Sequence, residues 1–79
     1  MPISRVRRVT ARGRLYVPVV RAQAKLRHRA TPVTARVTAD GDGFSLDLAE
    51  PAQGAAVGQV AALYERGAVV GAGVIESVS

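Results

Sequence analysis

Apolar residues along this chain recur at every second position, and no segment keeps an i, i+3, i+4 apolar stripe for three turns. Helices are therefore not expected, and half-buried strands are. The segment RAQAKLRHR (21–29) alternates most cleanly. Arg21, Gln23, Lys25, Arg27 and Arg29 share one face, and Ala22, Ala24, Leu26 and His28 share the other. VTARVTA (33–39) turns Val33, Ala35, Val37 and Ala39 inward, and FSLDL (44–48) turns Phe44, Leu46 and Leu48 inward. Between them, DGDG (40–43) signals a hairpin. With Gly41 and Asp42 in the loop, Arg36 faces Asp47. With Asp40 and Gly41 there, Arg36 faces Ser45. Both registers keep the apolar faces together, and the cross-strand charge pair favours the first.

The stretch GQVAALYERGAVVGAGVI (58–75) reads as two apolar strands folded back across Glu65-Arg66-Gly67-Ala68. Its second strand puts Gly71 and Gly73 on one face, where glycine weakens a strand unless another backbone must come close. ISRVRRVT (3–10) alternates loosely and is very basic, which predicts an edge strand or a mobile arm. RLYVPVV (14–20) predicts an edge or bulged strand, because Pro18 cannot donate to a ladder. EPAQGAAVGQ (50–59) reads as a loop. The expected organisation is a basic arm or edge strand over 1–13 and a β-barrel domain over 14–79. Closure is expected because it removes edges that would otherwise aggregate. The predicted fold is all-β: a small, closed or nearly closed antiparallel barrel of about six strands.

Composition narrows the function. The chain has 79 residues, enough for one domain with a thin core. It has no cysteine and one histidine, so neither a disulfide nor a structural zinc is expected. No apolar run reaches the roughly 20 residues of a membrane span, and no apolar segment of signal-peptide length follows the basic start. The cytoplasm is the default compartment, with no membrane partner. The net charge is +5, and ten of the eleven Lys and Arg residues precede Asp40, the first acid. A basic half of this kind suits a polyanion such as nucleic acid, or else serves as a solvated, solubilising face.

No constellation for catalysis appears. His28 falls on the inward face and has no acid or nucleophile near it in sequence, which reads as a structural histidine. DGDG lacks the later ligands and closing Glu of a calcium loop. Gly71-Ala72-Gly73 opens no helix and lacks the third glycine of a dinucleotide fingerprint. No catalytic residue, cofactor or metal is expected. The binding candidates are Arg21, Lys25, Arg27, Arg29 and Arg36, with Arg5, Arg7, Arg8, Arg12 and Arg14 as arm contacts. Same-face residues of a strand lie roughly 6.6 Å apart, a spacing suited to a phosphate backbone. One Phe, two Tyr and no Trp leave little for base stacking, so backbone contact is the expected mode.

The order of several short motifs carries a resemblance. Lys25, Leu26, Arg27 and Arg29, then Glu50-Pro51, then Gly58, Gln59 and Tyr64, then Gly71, Gly73 and Ile75 look like the C-terminal β-barrel domain of the tRNA-specific 2-thiouridylases. The likeness covers about residues 22–76. His28 stands where that family usually has tyrosine, Val57 replaces a proline, and Ala72 replaces the middle glycine of three. The resemblance implies a barrel similar to the second domain of elongation factor Tu, which helps its enzyme engage tRNA. It also implies that the chemistry, which uses ATP and two cysteines, lies in an N-terminal catalytic domain with a Ser-Gly-Gly loop, and this sequence has none of these. The reading is a non-catalytic barrel that binds or positions tRNA through backbone contacts, as a fragment or a stand-alone homologue. Its partners would be tRNA and a catalytic thiouridylase chain or domain. The alternative is a structural barrel that docks on a protein or self-associates, with no direct nucleic-acid role.

Overall fold

A computed structural model describes residues 5–27 and 30–79. Six strands follow in chain order: β1 (Arg5–Leu15), β2 (Arg21–Lys25), β3 (Val33–Asp40), β4 (Gly43–Gln53), β5 (Val60–Glu65) and β6 (Ala68–Val78). They form a closed antiparallel barrel in the order β1-β4-β3-β2-β5-β6, with β6 paired back onto β1. The expected fold class is the observed one.

Alternation sets which side chains enter the barrel. Phe44, Leu46, Leu63, Ile75 and Val9 are the largest fully buried side chains. Around them the interior is lined by Ala11, Ala22, Ala24, Ala35, Ala52 and Ala61. Eight strands leave an interior just wide enough for side chains to fill, so six leave less room, and alanine fits where a second leucine would not. Leu26 remains buried just beyond β2, so the inward face of that segment outlasts its ladder. Ala39, expected inward, is exposed beside the β3–β4 turn, where the barrel wall ends.

Both predicted hairpins form. In the first, Asp40 pairs with Gly43 and Arg36 with Asp47, the register with Gly41 and Asp42 in the loop. In the second, Glu65 pairs with Ala68, and both loop residues have positive φ: 53° at Arg66 and 81° at Gly67. That is the type I′ pattern, which matches strand twist and favours Asn or Gly at its first position. Arginine there carries a left-handed steric cost. Arg66→Asn is therefore expected to stabilise the fold by about 0.5–1 kcal/mol, raising the thermal midpoint by about 2–8 °C. An unchanged or lowered midpoint would count against the turn assignment.

Three expectations are corrected. The segment expected as an arm or edge strand over 1–13 is, from Arg5, part of a strand with neighbours on both sides, β4 and β6. No boundary appears at residue 13: β1 runs through to Leu15. Its alternation looked loose because Arg7 and Arg8 are both exposed. Both backbone N–H groups donate to the Ser79 carbonyl, at 2.8 and 3.0 Å, and the register against β4 shifts between Val6 and Arg8. The strand predicted over 14–20 exists only as the end of β1. Tyr16–Val20 has no ladder of its own. Tyr16 N–H donates to the Val70 carbonyl at 2.8 Å and Val37 N–H to the Val20 carbonyl at 3.0 Å. β6 and β3 are opposite in the ring, so this stretch crosses one end of the barrel, and Val19 packs on the core. Pro18 fits such a crossing, which needs no N–H from it. Finally, β4 continues through Glu50–Gln53 where a loop was expected. Pro51 falls in the register irregularity opposite β1, where a missing donor costs no ladder bond. His28, expected to be inward and structural, lies outside the described residues, as does Arg29.

Candidate nucleic-acid interface

Strand β2 supplies the centre of the site. Its inward alanines hold it in the barrel wall and leave Arg21, Gln23 and Lys25 on the outer face. Antiparallel pairing then sets each one beside a partner far away in sequence. On one side Arg21 lies directly opposite Arg36 of β3, and Gln23 opposite Thr34. The Gln23 amide donates to the Thr34 hydroxyl at 2.8 Å, which fixes both side chains between the cations.

Arg36 is in turn opposite Asp47 of β4, and Asp47 opposite Arg8 of β1. Three guanidinium groups and one carboxylate thus form a row across four strands. The register that pairs Arg36 with Asp47 is the expected one, but the ion pair goes the other way. Arg8 Nε approaches Asp47 Oδ1 at 3.7 Å. On an exposed surface such a pair contributes about 0–1 kcal/mol. Arg21 and Arg36 are left facing each other, with no salt bridge to either among the described residues. Like charges directly opposite destabilise a sheet, and an anion seated between them removes that cost. The cleft there is about 510 Å³ and is lined by Arg21, Thr34, Arg36, Asp47 and Ala49.

On the other side of β2 lies β5, with Gln23 opposite Tyr64 and Lys25 opposite Ala62. A second cleft, about 390 Å³, is lined by Lys25, Arg27, Gln59, Val60, Ala62 and Tyr64. Arg27 follows the end of β2, and its side chain lies against Gly54, whose missing Cβ leaves room for the guanidinium. The sequence separates Tyr64 from this cluster by nearly forty residues, and only the β2–β5 pairing brings it in.

Apart from Arg8, which ends the row at Asp47, the β1 arginines are not part of this surface. In a ring ordered β1-β4-β3-β2-β5-β6, β1 stands opposite β2. Arg5, Arg7, Arg8, Arg12 and Arg14 are exposed on the far side. Two of them are ion-paired: Arg8 with Asp47, and Arg12 Nε with Glu76 Oε2 at 3.3 Å. Glu76 is the extra residue where the β1–β6 register shifts between Thr10 and Ala11, and the bulge turns it toward Arg12. The candidate residues thus divide into two faces. Arg21, Lys25, Arg27 and Arg36 come together, the β1 set stands across the barrel, and Arg29 lies outside the described residues. Among the described residues no group of three or more His, Cys, Asp or Glu could hold a metal ion, and no helix is long and apolar enough to cross a membrane.

Comparison with known proteins gives a family. The model of the aminomethyltransferase beta-barrel domain matches residues 6–75. The tRNA-specific 2-thiouridylase MnmA of Deinococcus radiodurans is 43% identical over 54 residues, covering 67% of this chain and 14% of that protein. The chain therefore spans about one seventh of the length of this curated relative. No solved structure matches. The chain belongs to the aminomethyltransferase β-barrel domain family and is a C-terminal barrel domain of the kind found in tRNA-specific 2-thiouridylases.

Proposed function

We propose that this barrel binds tRNA by its backbone and holds it for a thiouridylase catalytic domain in the cytoplasm, taking no part in the chemistry itself. The observation that carries this reading is the direct opposition of Arg21 and Arg36 on the outer face, with Asp47, the residue opposite Arg36, ion-paired to Arg8. A sheet gains nothing from such a pair by itself, whereas a phosphate between them would be held by two charge-assisted contacts. Lys25 and Arg27 extend the same positive surface along β2. Contacts of this kind position a nucleic acid without reading its sequence.

The test is a titration of the chain with bulk tRNA at two salt concentrations. Affinity is expected to fall steeply with salt. Changing Arg21 and Arg36 together to Ala is expected to weaken binding at low salt. It should also flatten the slope of log affinity on log salt by about two units at most, since each phosphate contact contributes about 0.7–0.9. Arg5, Arg7 and Arg14 changed to Ala serve as the comparison, and a loss of binding from that set alone would move the site to the far face.

A second reading rests on the β5–β6 face. Val60 lies directly opposite Val74, and these are 58% and 47% exposed, with Val57 nearby at 62%. Exposed valines paired across strands suit docking on a protein, either the catalytic chain or a second copy. This reading predicts little salt dependence and self-association visible by sedimentation, with tRNA binding absent.

A further inference from the structure

We infer that the β2–β5 cleft is a seat for an unpaired nucleotide, with Tyr64 as its stacking platform. The inference rests on the RNA reading above and refines it: beside the backbone site at Arg21 and Arg36 there is a place for a base.

The cleft has the parts that such a ligand needs. Val60 and Ala62 give an apolar floor and Tyr64 an aromatic wall. Lys25 lies directly opposite Ala62, so a cation stands one strand away from the floor. Arg27 closes the same side. Gln59 offers an amide with both donors and an acceptor, suited to a base edge. Its backbone is pinned: the Gln59 carbonyl accepts from Ile75 N–H at 2.8 Å, and Gln59 N–H donates to the Ala56 carbonyl at 3.2 Å. The volume, about 390 Å³, lies within the range of small-ligand clefts, about 300–1,000 Å³.

Tyr64 is placed to serve two neighbours. It is half-buried, and the β5–β6 register shifts immediately before it, at the Leu63–Tyr64 step, with Val70 as the extra residue. On its other side a smaller cleft, about 230 Å³, is lined by Arg21, Ala22, Gln23, Tyr64, Glu65 and Arg66. The ring therefore stands between two clefts: the larger holds Lys25 and Arg27, and the smaller holds Arg21 and Arg66 together with the Glu65 carboxylate. A free mononucleotide would use one of them. A single strand running along β2 would use both, with its base on the ring and phosphates toward Arg21 and Arg66 at one end and Lys25 and Arg27 at the other. An aromatic ring flanked by cations is the general means of holding single-stranded nucleic acid. In a duplex the bases are already stacked and the ring has nothing to receive.

The chain supplies its own reporter. It has no tryptophan and only two tyrosines, Tyr16 and Tyr64. Tyr16 is exposed on the barrel-end crossing, so Tyr16→Phe leaves Tyr64 as the sole tyrosine of a folded protein. Its emission is then followed during titration with a short mixed-sequence single-stranded RNA, the same strand annealed to its complement, and AMP. Quenching is expected with the single strand, little with the duplex, and less still with AMP at equal nucleotide concentration. In the natural background Tyr64→Leu is expected to weaken single-strand binding about 5- to 150-fold, with Tyr64→Phe close to the parent. The inference is overturned if the single strand binds without quenching, if the duplex quenches equally, or if Tyr64→Leu binds as the parent does. In those cases salt-sensitive tRNA binding through Arg21 and Arg36 still stands by itself. Saturable quenching by AMP as strong as by the strand would make the cleft a mononucleotide site and would also overturn the strand assignment. Absence of binding by any RNA, tRNA included, removes both readings.

Discussion

Phe44→Ala is expected to bring this domain to the edge of unfolding. Phe44 is 1% exposed, the largest side chain in the barrel interior. Its neighbours across the two flanking strands are Ala11 and Ala39. Neither can swing in to fill the space, and removal of a buried phenylalanine costs about 3–5 kcal/mol when the site cannot collapse. A chain of this length has a total stability of about 4–12 kcal/mol, at roughly 0.05–0.15 kcal/mol per residue. The loss is thus between a quarter and all of what holds the fold. In urea the midpoint should fall by about 2–5 M if the slope is about 1–1.5 kcal/mol per M, or the native baseline should vanish. Val57→Ala, at an exposed position, is the matched control and should stay within about 0.5 kcal/mol. A Phe44→Ala loss below about 1 kcal/mol would mean that the interior is not packed around this ring.

How much of this was legible in the sequence depends on how local each feature is. The faces of β3 and β4 could be read because the apolar positions Ala35, Val37, Phe44, Leu46 and Leu48 keep a period of two and are all buried. The β3–β4 register followed from turn chemistry and one charge pair, although the carboxylate turned out to engage Arg8, a strand away in a direction no hairpin reveals. β1 reads as an arm or an edge strand because Arg7 and Arg8 break the alternation, and a bulge looks the same as irregular chain when only the sequence is visible. The Tyr16–Val20 crossing reads as an edge or bulged strand in the sequence because valines have the right character for one. What decides is whether a ladder partner exists, and that is a property of the closed ring. The candidate cations on β2 and β3 were found, since charge on an alternating strand is a local signal. Tyr64 was not assigned to the site, because its nearness to Lys25 comes from pairing between strands far apart along the chain. Nor could the sequence tell that the β1 arginines stand across the barrel from β2, which follows only from strand order.

Gly73→Ala should loosen the seam that closes the barrel. Gly73 is buried on β6 and directly opposite Gly13 of β1, and Gly71 lies opposite Leu15. A Cβ at Gly73 would lie 2.7 Å from the Arg12 carbonyl oxygen, 3.0 Å from its carbon and 3.2 Å from the Gly13 Cα. At Gly71 it would meet the Arg14 carbonyl oxygen at 2.9 Å and the Leu15 and Leu63 side chains at 3.0 and 3.3 Å. These paired glycines let β1 pass closer than any side chain would permit, which is the use that offsets their weakening of the strand. The Leu15 and Leu63 tips at Gly71 can turn aside, but the obstacle at Gly73 is backbone alone, so relief there requires β1 to move as a strand. Overpacking of this kind costs about 1–3 kcal/mol. Alanine recovers about 0.4–1 kcal/mol by restricting the unfolded chain, so the net sign is destabilising but smaller than for Phe44→Ala. The location distinguishes the two variants better than the size. Gly73→Ala should speed amide exchange at the β1–β6 ladder first and leave the β2–β3 pairs protected until global unfolding, whereas Phe44→Ala should lower protection throughout. Equal loss around the whole ring in Gly73→Ala, or a variant as stable as the parent, would show that close approach at this seam is not what the glycines are for.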